Sequence, residues 1–287
     1  MSAFPMTVPP SSVVFGSEQP TRVSTSHSGK RIARTTGSHR WRLEMVWREG
    51  TVYTTNMRPI HAFVEGLRGQ ADSCTVVVPG RSTPLGSWTG TPLVRGAHTT
   101  GTRKAISATV HTGGTGGTPG VATVAGTTGT GTKVTANVTI NGSGAMATVN
   151  YIIQGGEYTV DPGTTGEPVT GGGLTGAKLN LVMESWTGST VLIDGLTYPQ
   201  SAPCKAGDLL KFAGMTKVYQ LSSDAAIDAN GNATLLITPA LTGTLADNAG
   251  ITTIDVPITM TLEDDRQSVS IGAAFAEGFS VRMIEVI

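Results

Sequence analysis

From Ala105 to Gly156 the chain carries one charged residue, Lys133, while glycine and threonine recur throughout. Such a composition first suggests disorder, but glycine supplies turns and β-branched threonine favours strands. Val121 to Val124, Lys133 to Ile140 and Ala145 to Ile153 alternate β-branched residues with small ones, which predicts strands. Asn141-Gly142 between the last two predicts a hairpin. The stretch therefore reads as a small all-β insertion with glycine at its turns, not as a linker.

Composition extends this to the whole chain. The 287 residues include 38 glycines and 44 threonines, and only 14% are charged, against about 25% in an average soluble domain. Twenty basic residues balance twenty acidic ones. A zero net charge disfavours both an intrinsically disordered chain and a general nucleic-acid binder, and weakly favours assembly over a free monomer. No apolar run reaches the length of a membrane-spanning helix, and Met1 to Gly16 lacks the basic and apolar blocks of a signal peptide. Cys74 and Cys204 make neither a zinc site nor a disulfide framework, and are expected to be reduced, buried small hydrophobes.

Residues 1–38 lack periodicity and contain Pro5, Pro9, Pro10 and Pro20. They read as an extended N-terminal arm. Arg22, Lys30, Arg31, Arg34, Arg40 and Arg42 lie close together; such a basic segment suits a flexible arm or an edge strand on a neighbouring subunit better than a nucleic-acid contact. Trp41, Leu43, Met45 and Trp47 then alternate with polar residues, which predicts a half-buried strand ending at a Glu49-Gly50 turn. Asn56 as cap, Pro59 in the first turn, and Ile60, Phe63, Val64 and Leu67 at helical spacing predict a short helix closed by Arg68 and Gly69. Cys74 to Val78 predicts the next strand.

The C-terminal part offers short strand candidates at Lys178 to Met183, Thr190 to Ile193, Leu209 to Phe212, Thr216 to Leu221, Ala233 to Thr238, Asp255 to Leu262, Ser268 to Ile271 and Phe279 to Ile287. Many short strands without a long helix predict β-barrel or β-sandwich domains. Glu285 falls on the apolar side of the last strand, with Phe279, Val281 and Met283, which suggests an edge position or a partner. The expected core comprises Trp41, Leu43, Met45, Trp47, Phe63, Leu67, Leu209, Phe212, Tyr219, Leu235 and Ile237.

No pattern for catalysis, cofactor or metal emerges. His27, His39, His61, His98 and His111 show no metal-ligand spacing, and Gly113 to Gly117 is not flanked as a nucleotide loop would be. Asp264-Asp265 reads as a turn. Asp224, Asp228, Asn230 and Asn232 miss the calcium-loop spacing, with Leu235 where the bidentate glutamate belongs. The chain is expected not to be an enzyme and to need no cofactor.

Three stretches in order carry a resemblance. The first is the tryptophan-bearing strand from Trp41, with its helix ending Gly66-Leu67-Arg68-Gly69 and strand ending at Pro79. The second is Gly90-Thr91-Pro92-Leu93-Val94 with Gly96-Ala97. The third is Ala206 to Phe212, Lys217-Val218-Tyr219, Asp228 to Leu235 and Ile237 to Leu241. Together they resemble the distal tail and minor tail proteins of long-tailed bacteriophages over about half the chain. Gly155-Gly156-Glu157-Tyr158-Thr159 with Asp161-Pro162 resembles a glycine-rich β module of other virion proteins. A basic residue often found after the proline in that family is missing at Pro239-Ala240-Leu241. The resemblance implies a hub domain formed by 39–104 and 177–287, interrupted by an inserted module at 105–176. It implies a structural virion protein, made in the host cytoplasm, that forms a homo-oligomeric ring, six-fold, at the tail tip or baseplate. Its partners would be the tail tube protein and the hub, spike or fibre proteins, with no membrane span and no sequence-specific nucleic-acid binding. The alternative is a carbohydrate or host-surface binding module using Trp88, Trp186 or Tyr198.

Overall fold

A computed structural model describes residues 2–35, 39–48, 51–52, 57–241, 243–266, 270–271 and 275–286. The fold is all-β with one short helix, and the chain divides into two compact units. The first holds residues 1–84, 209–219 and 252–287, and the second 85–208 and 220–251.

The first unit is built on a sheet in the order Ser2–Ala3, Ser73–Val77, Pro257–Leu262, Phe275–Glu285, Arg40–Trp47, Ser12–Glu18. The alternation of Arg40–Trp47 works as its sequence requires: Trp41, Leu43, Met45 and Trp47 are buried and Arg40 and Arg42 are exposed. The helix Arg58–Gly66 carries Pro59 in its first turn, where a missing N–H costs nothing. It buries Ile60 and Val64, and Leu67 at its C-cap, in the same core as the sheet. Phe63 is only half-buried and meets Phe4 edge-on at 5.5 Å. Helical spacing places Phe63 toward the core, but Ile60 and Val64, one turn apart on either side of it, hold the centre. The chain leaves the helix through Arg68 in the left-handed region, at φ 51°, whose guanidinium grips Asp72 with bonds of 2.7 and 2.8 Å. Leu209 joins the same core, and Phe212 and Tyr219, which also belong to this unit, are buried. Asn56, the Glu49-Gly50 turn and the first half of the Ser268 to Ile271 strand lie outside the described residues.

Residues 1–38, expected as an extended arm, divide into two kinds of structure. Phe4 is buried in the core and Ser12–Glu18 pairs with Arg40–Trp47 through seven register partners. Beyond it, Thr21–Thr25 and Arg31–Thr35 pair with each other as a separate two-stranded sheet.

The second unit contains an eight-stranded sheet in the order Thr130–Thr132, Glu157–Val160, Arg103–Thr112, Lys178–Ser185, Glu167–Thr170, Gly120–Gly126, Thr135–Ile140, Met146–Gln154. Its core is its own: Val124, Val134, Val138, Ile140, Tyr158, Leu179 and their neighbours pack together. The pairing of Arg103–Thr112 with Lys178–Ser185 runs from Thr112↔Lys178 to Arg103↔Ser185, so the chain enters this module at 103 and leaves it at 185. The backbone N–H of Trp186 donates to the Thr102 carbonyl at 2.9 Å at its base.

Glycines let backbone approach backbone here. Gly131 sits at φ 121°, and an added Cβ would collide with the Glu157 carbonyl oxygen. At Asn141-Gly142 the connection is not a two-residue turn. The Asn141 side-chain oxygen accepts from the Ser143 N–H, the Ser143 hydroxyl and the Ala145 N–H, and the positive φ falls on Gly144. The asparagine acts by capping its own loop, a local option that competes with the left-handed turn.

A smaller sheet of this unit orders Gly90–Val94, Thr190–Leu196 and Ala233–Thr238, extended by the pairs Gln220↔Thr238 and Leu221↔Ile237. Leu235 and Ile237 are buried there. No helix among the described residues is long and apolar enough to cross a membrane.

Candidate functional site

Most polar groups that the fold buries are spent on holding backbone. Asp208 is buried and accepts from the N–H groups of Leu85, Gly86 and Lys205 and from Trp88 Nε1, at 2.6 to 3.1 Å. Glu167 is fully buried and accepts from the N–H groups of Thr127 and Thr128, both at 2.7 Å, and of Gly163 at 3.1 Å. Carboxylates engaged by three or four protein donors are fixed in place, and these two fix loops.

Glu285 is the same kind of residue in the first unit. It lies on a strand paired on both sides, with Pro257–Leu262 and with Arg40–Trp47, so it is not at a sheet edge. Its partner lies within the chain. The carboxylate meets Lys217 Nζ and accepts from the Trp41 and Val218 N–H groups at 3.1 and 3.2 Å. Burial pushes the Lys217 pKa down, while Glu285 opposes the shift. His39 stands next to the pair, edge-on to Trp41 at 4.6 Å, with neither ring nitrogen hydrogen-bonded. Burial first, and the Lys217 charge second, lower its pKa to about 4, so it is neutral at pH 7.

A second buried cluster joins His98, Lys104 and Trp186. Lys104 Nζ donates to the Ala97 carbonyl at 2.6 Å and lies 5.2 Å from the centre of the Trp186 ring. Burial lowers its pKa to about 7. His98 sits edge-on to the same ring at 5.4 Å, bonded to the Gly96 carbonyl and the Leu192 N–H, with its pKa lowered to about 3 by burial and then by Lys104. The cavity beside them holds about 40 Å³, room for a water or two but not for a substrate.

The remaining candidate groups are scattered. His61 lies 3.6 Å from Glu65, and His111 bonds Thr112. The Asp228 side chain accepts from the Asn230 and Asn232 N–H groups and from Asn232 Nδ2, making a turn by itself, and Asp224 pairs with Lys205. Asp265 accepts from the Gln70 N–H. Gly114 and Gly117 pack against the backbone of Thr175 and Gly144. Among the described residues no three metal-ligating side chains converge. Cys74 and Cys204 are buried free thiols whose pKa values burial raises, to about 11 and about 12. Of the three aromatic residues that a sugar site would use, Trp88 and Trp186 are buried and bonded, and Tyr198 is exposed.

The fold also leaves backbone and apolar surface open. Ser12–Glu18 ends its sheet, so its outer backbone edge has no strand beside it among the described residues. The strand reads SVVFGSE, with one charge at its end, and Val14 is 58% exposed. The next segment is the two-stranded hairpin, whose first strand is exposed at every position. Val23 and Ile32 are each 45% exposed, and Arg22 stands directly opposite Arg34. The sequence marked this segment through its run of basic residues; the open edge beside it has no signal in the sequence, because strand order is set by pairings between distant residues.

No protein-family model matches the chain, and no curated protein matches its sequence.

Proposed function

We propose that this chain is a structural subunit of a bacteriophage tail tip. Copies of it close into a six-fold ring that joins the tail tube to the central hub, spike or fibre proteins. The observation that carries the reading is the open edge of the first unit. A seven-residue strand with one terminal charge, followed by a freestanding hairpin, lacks interior charges and prolines and, among the described residues, a covering helix, the devices by which monomeric proteins protect a sheet edge. An unprotected edge is suited to a neighbouring copy, and a contact between different patches on identical chains generates a ring when the rotation closes. The resemblance of Trp41 to Pro79, Gly90 to Ala97 and Ala206 to Leu241 to the distal tail family supplies the place where such a ring works. The buried polar groups fit a scaffold: Asp208, Glu167 and the Lys217–Glu285 pair each order backbone.

Immunogold labelling of intact phage particles from a lysate expressing the gene tests the proposal. Gold at the end of the tail is the expected result. Label confined to the capsid, or protein that never enters particles, overturns it.

A further inference from the structure

We infer that the hairpin of residues 21–35 docks on a second copy of this chain, its cations meeting that copy's excess of acids. The inference rests on the ring reading and names the contact that would hold the ring's members together.

The hairpin gathers four exposed cations without an ion-pair partner, among the described residues, into one short segment. Arg42, Arg68, Arg103, Lys205, Lys217 and Arg282 each meet a carboxylate within the chain. Arg22, Lys30, Arg31 and Arg34 meet none among the described residues, and all four are exposed. Arg22 and Arg34 are register partners, so two like charges face each other across the strands, an arrangement that costs stability unless an anion lies over it. A lone two-stranded sheet is marginal in water, and this one has both faces open. Val23 and Ile32 supply apolar surface for a partner to cover.

The charge distribution identifies the partner. Residues 21–35 hold four basic residues, Arg22, Lys30, Arg31 and Arg34, and no acid. Taking those four from the twenty leaves sixteen basic residues against twenty acidic ones, a net charge of −4 on the rest of the chain. The molecule is neutral as a whole and polar in its parts. Two copies therefore do not repel, and the basic hairpin of one is drawn to the acidic body of the next, head to tail.

The test is sedimentation velocity of the full chain at about 50 mM and about 500 mM salt, which shifts the screening length across the range where exposed charges act. Three proteins are compared: the natural chain, Arg22→Glu/Arg31→Glu/Arg34→Glu, and the charge-keeping Arg22→Lys/Arg31→Lys/Arg34→Lys. Circular dichroism confirms that all three fold. The natural and lysine chains are expected to self-associate at low salt and to loosen at high salt, and charge reversal to raise the apparent Kd by about tenfold or more. Carbodiimide coupling in a mixture of ¹⁴N and ¹⁵N chains should join Lys30 to carboxylates of the other copy. A reversed variant that still associates like the natural chain ends the docking inference and leaves the ring. A natural chain that stays monomeric at both salt concentrations ends both. Hairpin-dependent binding of duplex DNA without hairpin-dependent self-association makes nucleic acid the partner and also overturns the inference.

Discussion

Glu285 has no exposed surface, and its carboxylate is held by Lys217 and two backbone N–H groups. Lys217→Met leaves that charge buried without its cation and is expected to cost about 3–5 kcal/mol of unfolding free energy, read by urea denaturation. The double variant with Glu285→Gln should cost less than the two single changes added together. His39 and His98 set a pH dependence. An unfolded histidine takes up a proton as the pH falls through 6.5, whereas folded His39 does so only near 4 and folded His98 near 3. Between those values the unfolded chain binds more protons, so stability falls as pH falls, by up to about 1.4 kcal/mol per pH unit for each histidine. His39→Gln should flatten the decline measured between about pH 6.5 and about pH 4.5; an unchanged slope contradicts its burial as a neutral ring. Glu285 was conspicuous in the sequence because it interrupts Phe279, Val281 and Met283. Lys217 was not, since a lysine 68 positions away becomes a partner only through tertiary pairing.

The helix Arg58–Gly66 and the strands Arg40–Trp47, Leu209–Phe212 and Ala233–Thr238 were legible because each carries its own period or turn residues. Depth within the core was less so: period assigns Phe63 a direction, whereas burial depends on what lies opposite. Ile60→Ala is expected to cost about 2–5 kcal/mol and Phe63→Ala less, because a half-buried ring leaves a smaller void. Thermal melts of the two variants rank them, and a larger loss at Phe63 contradicts the packing described. In the glycine-rich module, strand positions could be read from alternating β-branched residues, but not the loop chemistry at Asn141 or the backbone contact at Gly131. Gly131→Ala should destabilise by more than about 1 kcal/mol, since alanine meets both an unfavourable φ and the Glu157 carbonyl. Hydrogen exchange should show faster exchange along Glu157–Val160.

For the whole molecule, the decisive feature is that charge and open backbone coincide in the N-terminal residues, while the module of residues 103–185 has a core of its own. Joining Thr102 to Trp186 by two glycines, across the existing hydrogen bond at the module's base, should therefore leave assembly intact; its loss would put the module in the ring wall. The basic hairpin could be read in the sequence as a charge run; the edge it adjoins needed the sheet order. Whether copies of this chain close on one another is read by negative-stain electron microscopy of the purified full chain at low salt. Closed rings of uniform diameter and, in class averages, six-fold symmetry are expected. Single particles of monomer size at every concentration, or open filaments that never close, would contradict that closure.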